Sequence, residues 1–325
     1  MPRSKGTSRP ARASRKIATR NFLSILDLSP AELADVVKTG VRLKKARHAG
    51  TRGAAARSLS GRHVALLFEK PSLRTRSTFE IAVRELGGDV IAPPQDVAMG
   101  EREPIADVAR NLERWVSGVV IRTFAQERLV EFSAAAPSLH VVNALTDEEH
   151  PCQALADVLT LHEHLGGLRG ATVTFVGDGN NVATSLAHAG VMLGMHVRIA
   201  APAGYELSDE VLAQCRARAQ HGGTVKNVHD ARTAVRGTDA VYTDAWTSMG
   251  QEAEAQHRRK IFAPYQVNAA LMEAAGDACF MHCLPAHRGE EATDDVMDGP
   301  QSIIFDQAEN RLHAQKALMM LLMGR

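Results

Sequence analysis

The mostly apolar run His63-Val64-Ala65-Leu66-Leu67-Phe68 is followed within a few residues by Pro71-Ser72 and then by a helical pattern. A short run of this kind, closed by a helix start, reads as a buried strand. Ser72 is placed to cap the helix, and Thr75 falls in its first turn. A strand that feeds directly into a helix leaves the first helical N–H groups pointing outward, at the positive end of the helix dipole. Ser72 and Thr75 add hydroxyls at that point, and Arg74 and Arg76 add planar, permanently charged forks. The stretch 69–80 therefore predicts a phosphate cradle at the end of a strand. It is not a Walker loop, because the glycines and the Gly-Lys-Ser/Thr ending are missing. An ordinary capped helix with solvated arginines would share the pattern, so the rest of the chain has to decide.

The rest alternates strand and helix. With 325 residues the chain can bury two cores. Ser29-Pro30-Ala31-Glu32 is a helix start, with Ser29 as cap and Pro30 at the first helical position. Strands are expected over 63–68, 89–92, 118–122 and 139–143, and again over 171–176, 195–200, 239–243 and 278–281. Gly166-Gly167 and Gly170 break the pattern between the two sets. The expected fold class is α/β, with two doubly wound parallel-sheet domains. The expected divisions are 1–20, a disordered basic tail; 21–165, the first domain; 166–305, the second; and 306–325, a last helix.

The tail holds Arg3, Lys5, Arg9, Arg12, Arg15, Lys16 and Arg20 and no acid. An organelle transit peptide is the alternative reading. A disordered segment outside the fold is preferred, because apolar periodicity is weak before Ile17. The net charge of +1 gives no electrostatic footprint for nucleic acid. No stretch is long and apolar enough to span a bilayer, so no membrane partner is expected. Cys152, Cys215, Cys279 and Cys283 form neither a Cys-x-x-Cys pair nor a small-domain disulfide pattern. A reducing compartment, and hence the cytoplasm, is expected.

Chemistry-bearing residues fall where strands end, which is where open α/β sheets collect ligands. Arg122 ends one strand. His150 and Gln153 lie one turn apart at a helix start, offering an imidazole and an amide to one small ligand. Asn181, Asp244, Ser248 and Cys283 follow strands of the second set, and an acid and an amide there suit a ligand carrying an amine. Gly177-Asp178-Gly179 imitates a dinucleotide turn. However, Val182 stands where the third glycine belongs, and 197–201 ends without a ribose-binding acid. A nicotinamide-dependent dehydrogenase is thus the second reading. His282, Cys283 and His287 match no structural zinc spacing, so no metal is expected.

Taken together, these blocks resemble the aspartate/ornithine carbamoyltransferase superfamily, and most closely its ornithine branch, over about residues 21–323. Ser72-Leu73-Arg74-Thr75-Arg76 is similar to the family's Ser-Thr-Arg-Thr-Arg signature, and His150-Pro151-Cys152-Gln153 to its His-Pro-x-Gln signature. Asp244-x-Trp246-x-Ser248-Met249-Gly250, His282-Cys283-Leu284-Pro285 and Glu309-Asn310-Arg311 complete the set in the right order. The resemblance implies transfer of the carbamoyl group of carbamoyl phosphate to the δ-amine of L-ornithine, giving citrulline and phosphate, with no cofactor. A related amine is the nearest alternative acceptor. It also implies a last helix that packs back on the first domain, and a homotrimer or a multiple of trimers. Ser72, Leu73, Arg74 and Thr75 would hold the phosphate. Arg122, His150, Gln153, Cys283, Leu284 and Arg311 would surround the carbamoyl group, and Asn181, Asp244, Ser248 and Met249 would grip ornithine. Arg74, His150, Asp244 and Cys283 would carry the catalysis, with a base or a thiolate near the reacting amine. Leu73 replaces a threonine, so the position keeps its N–H and loses a hydroxyl, a hydrogen bond worth about 1.5–3 kcal/mol toward a charged partner.

Overall fold

The computed structural model describes residues 16–51, 53–94, 99, 102–247 and 252–325. Helix α1 (Pro30–His48) begins as its sequence requires. The Ser29 N–H donates to Glu32 Oε2 at 2.8 Å, and the Glu32 N–H donates back to Ser29 Oγ at 3.3 Å. This capping box satisfies N–H groups that would otherwise be stranded, a contribution of about 1 kcal/mol.

The first sheet is built from β1 (His63–Phe68), β2 (Asp89–Ile91), β3 (Gly118–Arg122) and β4 (His140–Leu145), in the order β2-β1-β3-β4 with every pair parallel. Parallel sheets need both faces covered, which is why β1 and β3 are near-continuous apolar runs. Helices α2 (Leu73–Glu85), α3 (Ile105–Trp115), α4 (Gln126–Ala135) and α5 (Pro151–Leu165) surround and connect these strands. Helix α4 has no counterpart in the expectations above.

The second sheet contains β5 (Thr172–Val176), β6 (His196–Ala200), β7 (Thr224–Val228), β8 (Ala240–Thr243) and β9 (Cys279–His282), ordered β7-β6-β5-β8-β9 and again wholly parallel. Its helices are α6 (Asn181–Met192), α7 (Asp209–Arg218), α8 (Ala231–Ala234), α9 (Ala255–Phe262), α10 (Ala269–Ala275) and α11 (Asp294–Met297). The order reverses at β5, so the C-terminal ends of β5 and β8 flank a crevice. Gly179 is required beside that crevice for packing. A Cβ there would stand 2.6 Å from the backbone carbon of Glu206.

The last helix, α12 (Ile304–Met323), packs against α1, α2 and α5. It is buried along most of its length, so its polar side chains need internal partners. The Asn310 amide donates to Thr160 Oγ1 at 2.9 Å, and Lys316 Nζ donates to Glu85 Oε2 at 2.5 Å.

The N-terminal segment departs from expectation. Residues 1–15 lie outside the described residues, but Ile17 is buried, and its N–H donates to the Leu321 carbonyl at 3.0 Å. Phe22 then bridges Val142 on β4. The folded chain thus starts before Asn21, because one isoleucine among basic and small residues finds an apolar seat on α12. Among the described residues, no helix is long and apolar enough to cross a membrane.

Candidate functional site

Parallel strands place all their C-terminal ends on one edge, and in this chain the edges of the two sheets share a cleft of about 1120 Å³. One wall comes from the ends of β1, β3 and β4, and the other from the ends of β5, β8 and β9. Ser72, Leu73, Arg74, Thr75, Arg122, His150, Gln153, Asn181, Asp244, Cys283, Leu284 and Arg311 all line it. The expected Ser248 and Met249 lie outside the described residues.

The first wall is cationic. Helix α2 starts after Ser72, whose side chain makes no capping bond to the helix. The first-turn N–H groups therefore have no hydroxyl cap and face the cleft. Arg74 is half-buried, and burial lowers its pKa. Arg122 at the end of β3 is buried, and its pKa is pulled down to about 10 by desolvation, then by Arg311. Arg311 comes from α12 and reaches across, with its Nη2 donating to Thr75 Oγ1 at 2.9 Å and its Nη1 to Gln153 Oε1. Burial, then Arg311 and Arg122, holds the His150 pKa well below the usual imidazole range, so the ring is neutral. Among the described residues, Arg122 Nε, Arg311 Nε and His150 Nδ1 are buried without a hydrogen-bond partner. Clustered guanidinium groups repel one another, and an anion between them relieves that cost. Leu73 turns its side chain to solvent, 76% exposed, so only its backbone serves the cradle.

The second wall carries the acid. Asp244 follows β8, and its Oδ1 accepts from Cys283 Sγ at 2.8 Å and from the Ala245 N–H at 2.8 Å. Its Oδ2 accepts from Asn180 Nδ2 at 2.9 Å. Burial, reinforced by Asp244, raises the Cys283 thiol well above its ordinary pKa. The thiolate considered as a base from the sequence is therefore a protonated thiol here, and the base option falls to other groups. The amide bound to Asp244 is that of Asn180. Asn181 instead donates from Nδ2 to the Thr146 carbonyl across the cleft floor. Asn180 is the cap of α6, accepting from the Val182 and Ala183 N–H groups. The helix therefore begins at Asn181.

Other residues of the site have no assigned role in the sequence analysis. Lys70 is buried at the rim, 2.7 Å from Asp147 Oδ1 and 4.3 Å from the Phe124 ring centre. Asp178 is paired with Arg258. Asp157, four residues after Gln153, could have been found from helical spacing. Asp244, His282 and Cys283 bring donor atoms together as a metal site would. However, His282 Nε2 is 3.1 Å from Glu291 Oε1, and its Nδ1 accepts from the Leu284 N–H at 2.9 Å, which occupies both ring nitrogens.

Comparison with known proteins matches this geometry. Residues 20–163 match the carbamoyl-phosphate-binding domain of the aspartate/ornithine carbamoyltransferases, and residues 169–322 match their aspartate/ornithine-binding domain. An ornithine carbamoyltransferase of Acidothermus cellulolyticus is 52% identical, covering 94% of this chain and 96% of its own. The anabolic ornithine carbamoyltransferase of Pseudomonas aeruginosa is 48% identical, covering 94% and 98%. The solved ornithine carbamoyltransferase of Pyrococcus furiosus superposes with a TM-score of 0.90 at 45% identity, covering 95% and 98%. These relatives displace the dehydrogenase reading.

Proposed function

The chain belongs to the aspartate/ornithine carbamoyltransferase family, and we propose that it transfers the carbamoyl group of carbamoyl phosphate to the δ-amine of L-ornithine, releasing L-citrulline and phosphate. The single observation that carries this reading is the polarity of the cleft: three arginines and an open helix N-terminus on one wall, an acid on the other. A phosphate ester fits the first wall and an amino acid's ammonium the second.

The residue roles follow from the same geometry. Ser72, Leu73, Arg74 and Thr75 receive the phosphate through N–H groups, hydroxyls and one guanidinium. Arg122, neutral His150 and Arg311 surround the carbonyl oxygen, where their N–H groups stabilise the negative charge that develops on attack. Gln153 and the segment Cys283-Leu284 sit beside the carbamoyl nitrogen. Asp244, with Asn181 and the 248–249 segment, takes the amino-acid end of ornithine. The δ-nitrogen attacks the carbonyl carbon, the bond to the phosphate oxygen breaks, and the proton lost by the amine leaves on the phosphate. Cys283, held protonated, acts as a donor to Asp244 that fixes its orientation.

The biosynthetic direction draws support from the relative called anabolic, and a cytoplasmic setting from the cysteine pattern. A homotrimer with sites near subunit boundaries is supported by Leu73 and Phe124, which expose apolar surface beside the cleft, at 76% and 46%. Citrulline formation by purified protein, with carbamoyl phosphate and a panel of amines, tests the reaction. Product from ornithine far above that from any other amine is expected, and no product from ornithine would overturn it. Light scattering after gel filtration tests the trimer.

A further inference from the structure

Asp157 sits on α5, fully buried behind Gln153. Its Oδ1 accepts from Gln153 Nε2 at 2.8 Å and from Gln307 Nε2 at 2.7 Å, and its Oδ2 accepts from the Tyr242 hydroxyl at 3.1 Å. All three partners are donors, as an ionised carboxylate requires. Burial pushes its carboxyl group up to about 6, which leaves it charged at neutral pH.

The sense of this network is fixed at its far end. The backbone N–H of His282 donates to Gln307 Oε1 at 2.9 Å. A backbone N–H cannot become an acceptor, so Gln307 must keep its oxygen there and turn its NH2 to Asp157. Asp157 accepts that bond and a second one from Gln153. A primary amide has one donor end and one acceptor end. With the NH2 of Gln153 committed to Asp157, the atom turned to the cleft is Oε1, which accepts from Arg311.

We propose that Asp157 is a specificity-determining residue, which locks Gln153 with its oxygen toward the donor substrate and so selects a ligand bearing N–H at that point. The carbamoyl NH2 meets this demand, and a methyl group of the same shape does not. The inference rests on the reading above that Gln153 meets the carbamoyl group. Asp157 touches no substrate and acts through Gln153. Without an acceptor at position 157 the orientation rests on Arg311 alone, and an amide that turns presents its NH2 to the carbamoyl NH2.

The test compares carbamoyl phosphate with acetyl phosphate, which carries methyl in place of NH2 on the same phosphate. Dissociation constants are measured by short cold titrations of the wild-type protein, of Asp157→Leu and of Asp157→Asn. The preference for carbamoyl phosphate is expected to fall about tenfold in Asp157→Leu, which offers Gln153 no acceptor. Asp157→Asn should keep most of it, because its oxygen can still accept from Gln153 and Gln307 while its NH2 meets the Tyr242 hydroxyl. Acetyl phosphate affinity should stay within about twofold, since the orientation of the amide does not matter to a methyl group. Equal losses for both ligands in Asp157→Leu, or an unchanged ratio, would overturn the proposal. A preference lost in Asp157→Asn, which keeps the acceptor and the shape, would also overturn it. Gln153→Ala separates the two levels. Preference retained in Gln153→Ala would remove the Gln153 contact itself. Preference lost in Gln153→Ala but kept in Asp157→Leu would remove only the lock.

Discussion

Asp244→Asn is the sharpest perturbation of acceptor binding, because it removes a charge and keeps a shape. Its local cost can be read from the partners. One oxygen is claimed by the Ala245 N–H and the Cys283 thiol, so the new amide keeps its carbonyl there. Its NH2 must then face Asn180 Nδ2, which is also a donor. Asn180 cannot turn round to accept, because its oxygen already caps α6. Losing that cap or that contact costs about 1 kcal/mol of stability. The cost to binding is larger. A hydrogen bond between an ammonium and a carboxylate is worth about 1.5–3 kcal/mol. At about 1.4 kcal/mol per factor of ten, ornithine should bind about 10–150-fold more weakly. Carbamoyl phosphate, held by the other wall, should be affected by less than about threefold. The assay is steady-state citrulline formation plus calorimetry for each ligand, with 5-aminopentanoate as a competitor that lacks the α-ammonium. That competitor should lose much less than ornithine. A second readout is chemical. Asp244 helps burial hold the Cys283 thiol protonated, so the variant should be alkylated faster at fixed pH. Equal losses for ornithine and 5-aminopentanoate, or an unchanged ornithine affinity, would refute Asp244 as the ammonium partner.

Arg74→Ala should lower kcat/KM by at least about a hundredfold, since a charge-assisted phosphate contact of about 3 kcal/mol is lost; unchanged turnover at saturating carbamoyl phosphate would take the arginine out of the mechanism. Glu149 is buried, and although burial alone would raise its pKa, His188, Ser24 and Ser185 more than offset this and lower it below 4.5. A carboxylate with a depressed folded pKa stabilises above its unfolded value and loses that contribution as pH falls. Urea unfolding should therefore show Glu149→Gln less stable than wild type at pH 7, with a gap that closes below about pH 4.5, and a gap that stays constant would show that the charge is not what stabilises. Ile17→Ala should cost about 1.5–3 kcal/mol in the same assay, and no measurable cost would mean that the docked segment adds nothing to the fold.

The fold was legible wherever burial forces a continuous apolar run. The strands β1, β3, β5 and β8 lie inside their sheets and are buried along their lengths, so hydropathy alone marks them. The edge strand β7 alternates exposed and half-buried residues and contains Lys226 and Asn227, so it has no such run and went unread. Helix α9 failed for a similar reason. Its eight residues Ala255–Phe262 include Arg258, Arg259 and Lys260, and Arg258 is buried with Asp178 and the Trp246 carbonyl as partners from other strand ends. That pairing is a tertiary fact and leaves no periodic trace.

The site was legible to the extent that its chemistry sits at strand ends, which sequence order alone can place on one edge. What sequence order cannot supply is the direction of each hydrogen bond. Asn180 and Asn181 are adjacent and chemically identical, yet one holds Asp244 and the other holds the Thr146 carbonyl. The choice is made by the helix cap, which takes the oxygen of Asn180 and leaves its NH2 free to donate. Gln153 and Gln307 show the same logic over a longer path. Neither amide has an intrinsic orientation: Gln307 takes its own from the His282 N–H and Asp157, and Gln153 from Asp157 and the Arg311 guanidinium. Cys283 completes the pattern, since a thiol beside a carboxylate becomes a donor and ceases to be a thiolate. In each case a fixed donor elsewhere decides what a neutral or ambiguous side chain presents to the cleft. The residue types therefore announce what binds, whereas the network behind them decides which end of the ligand each one meets.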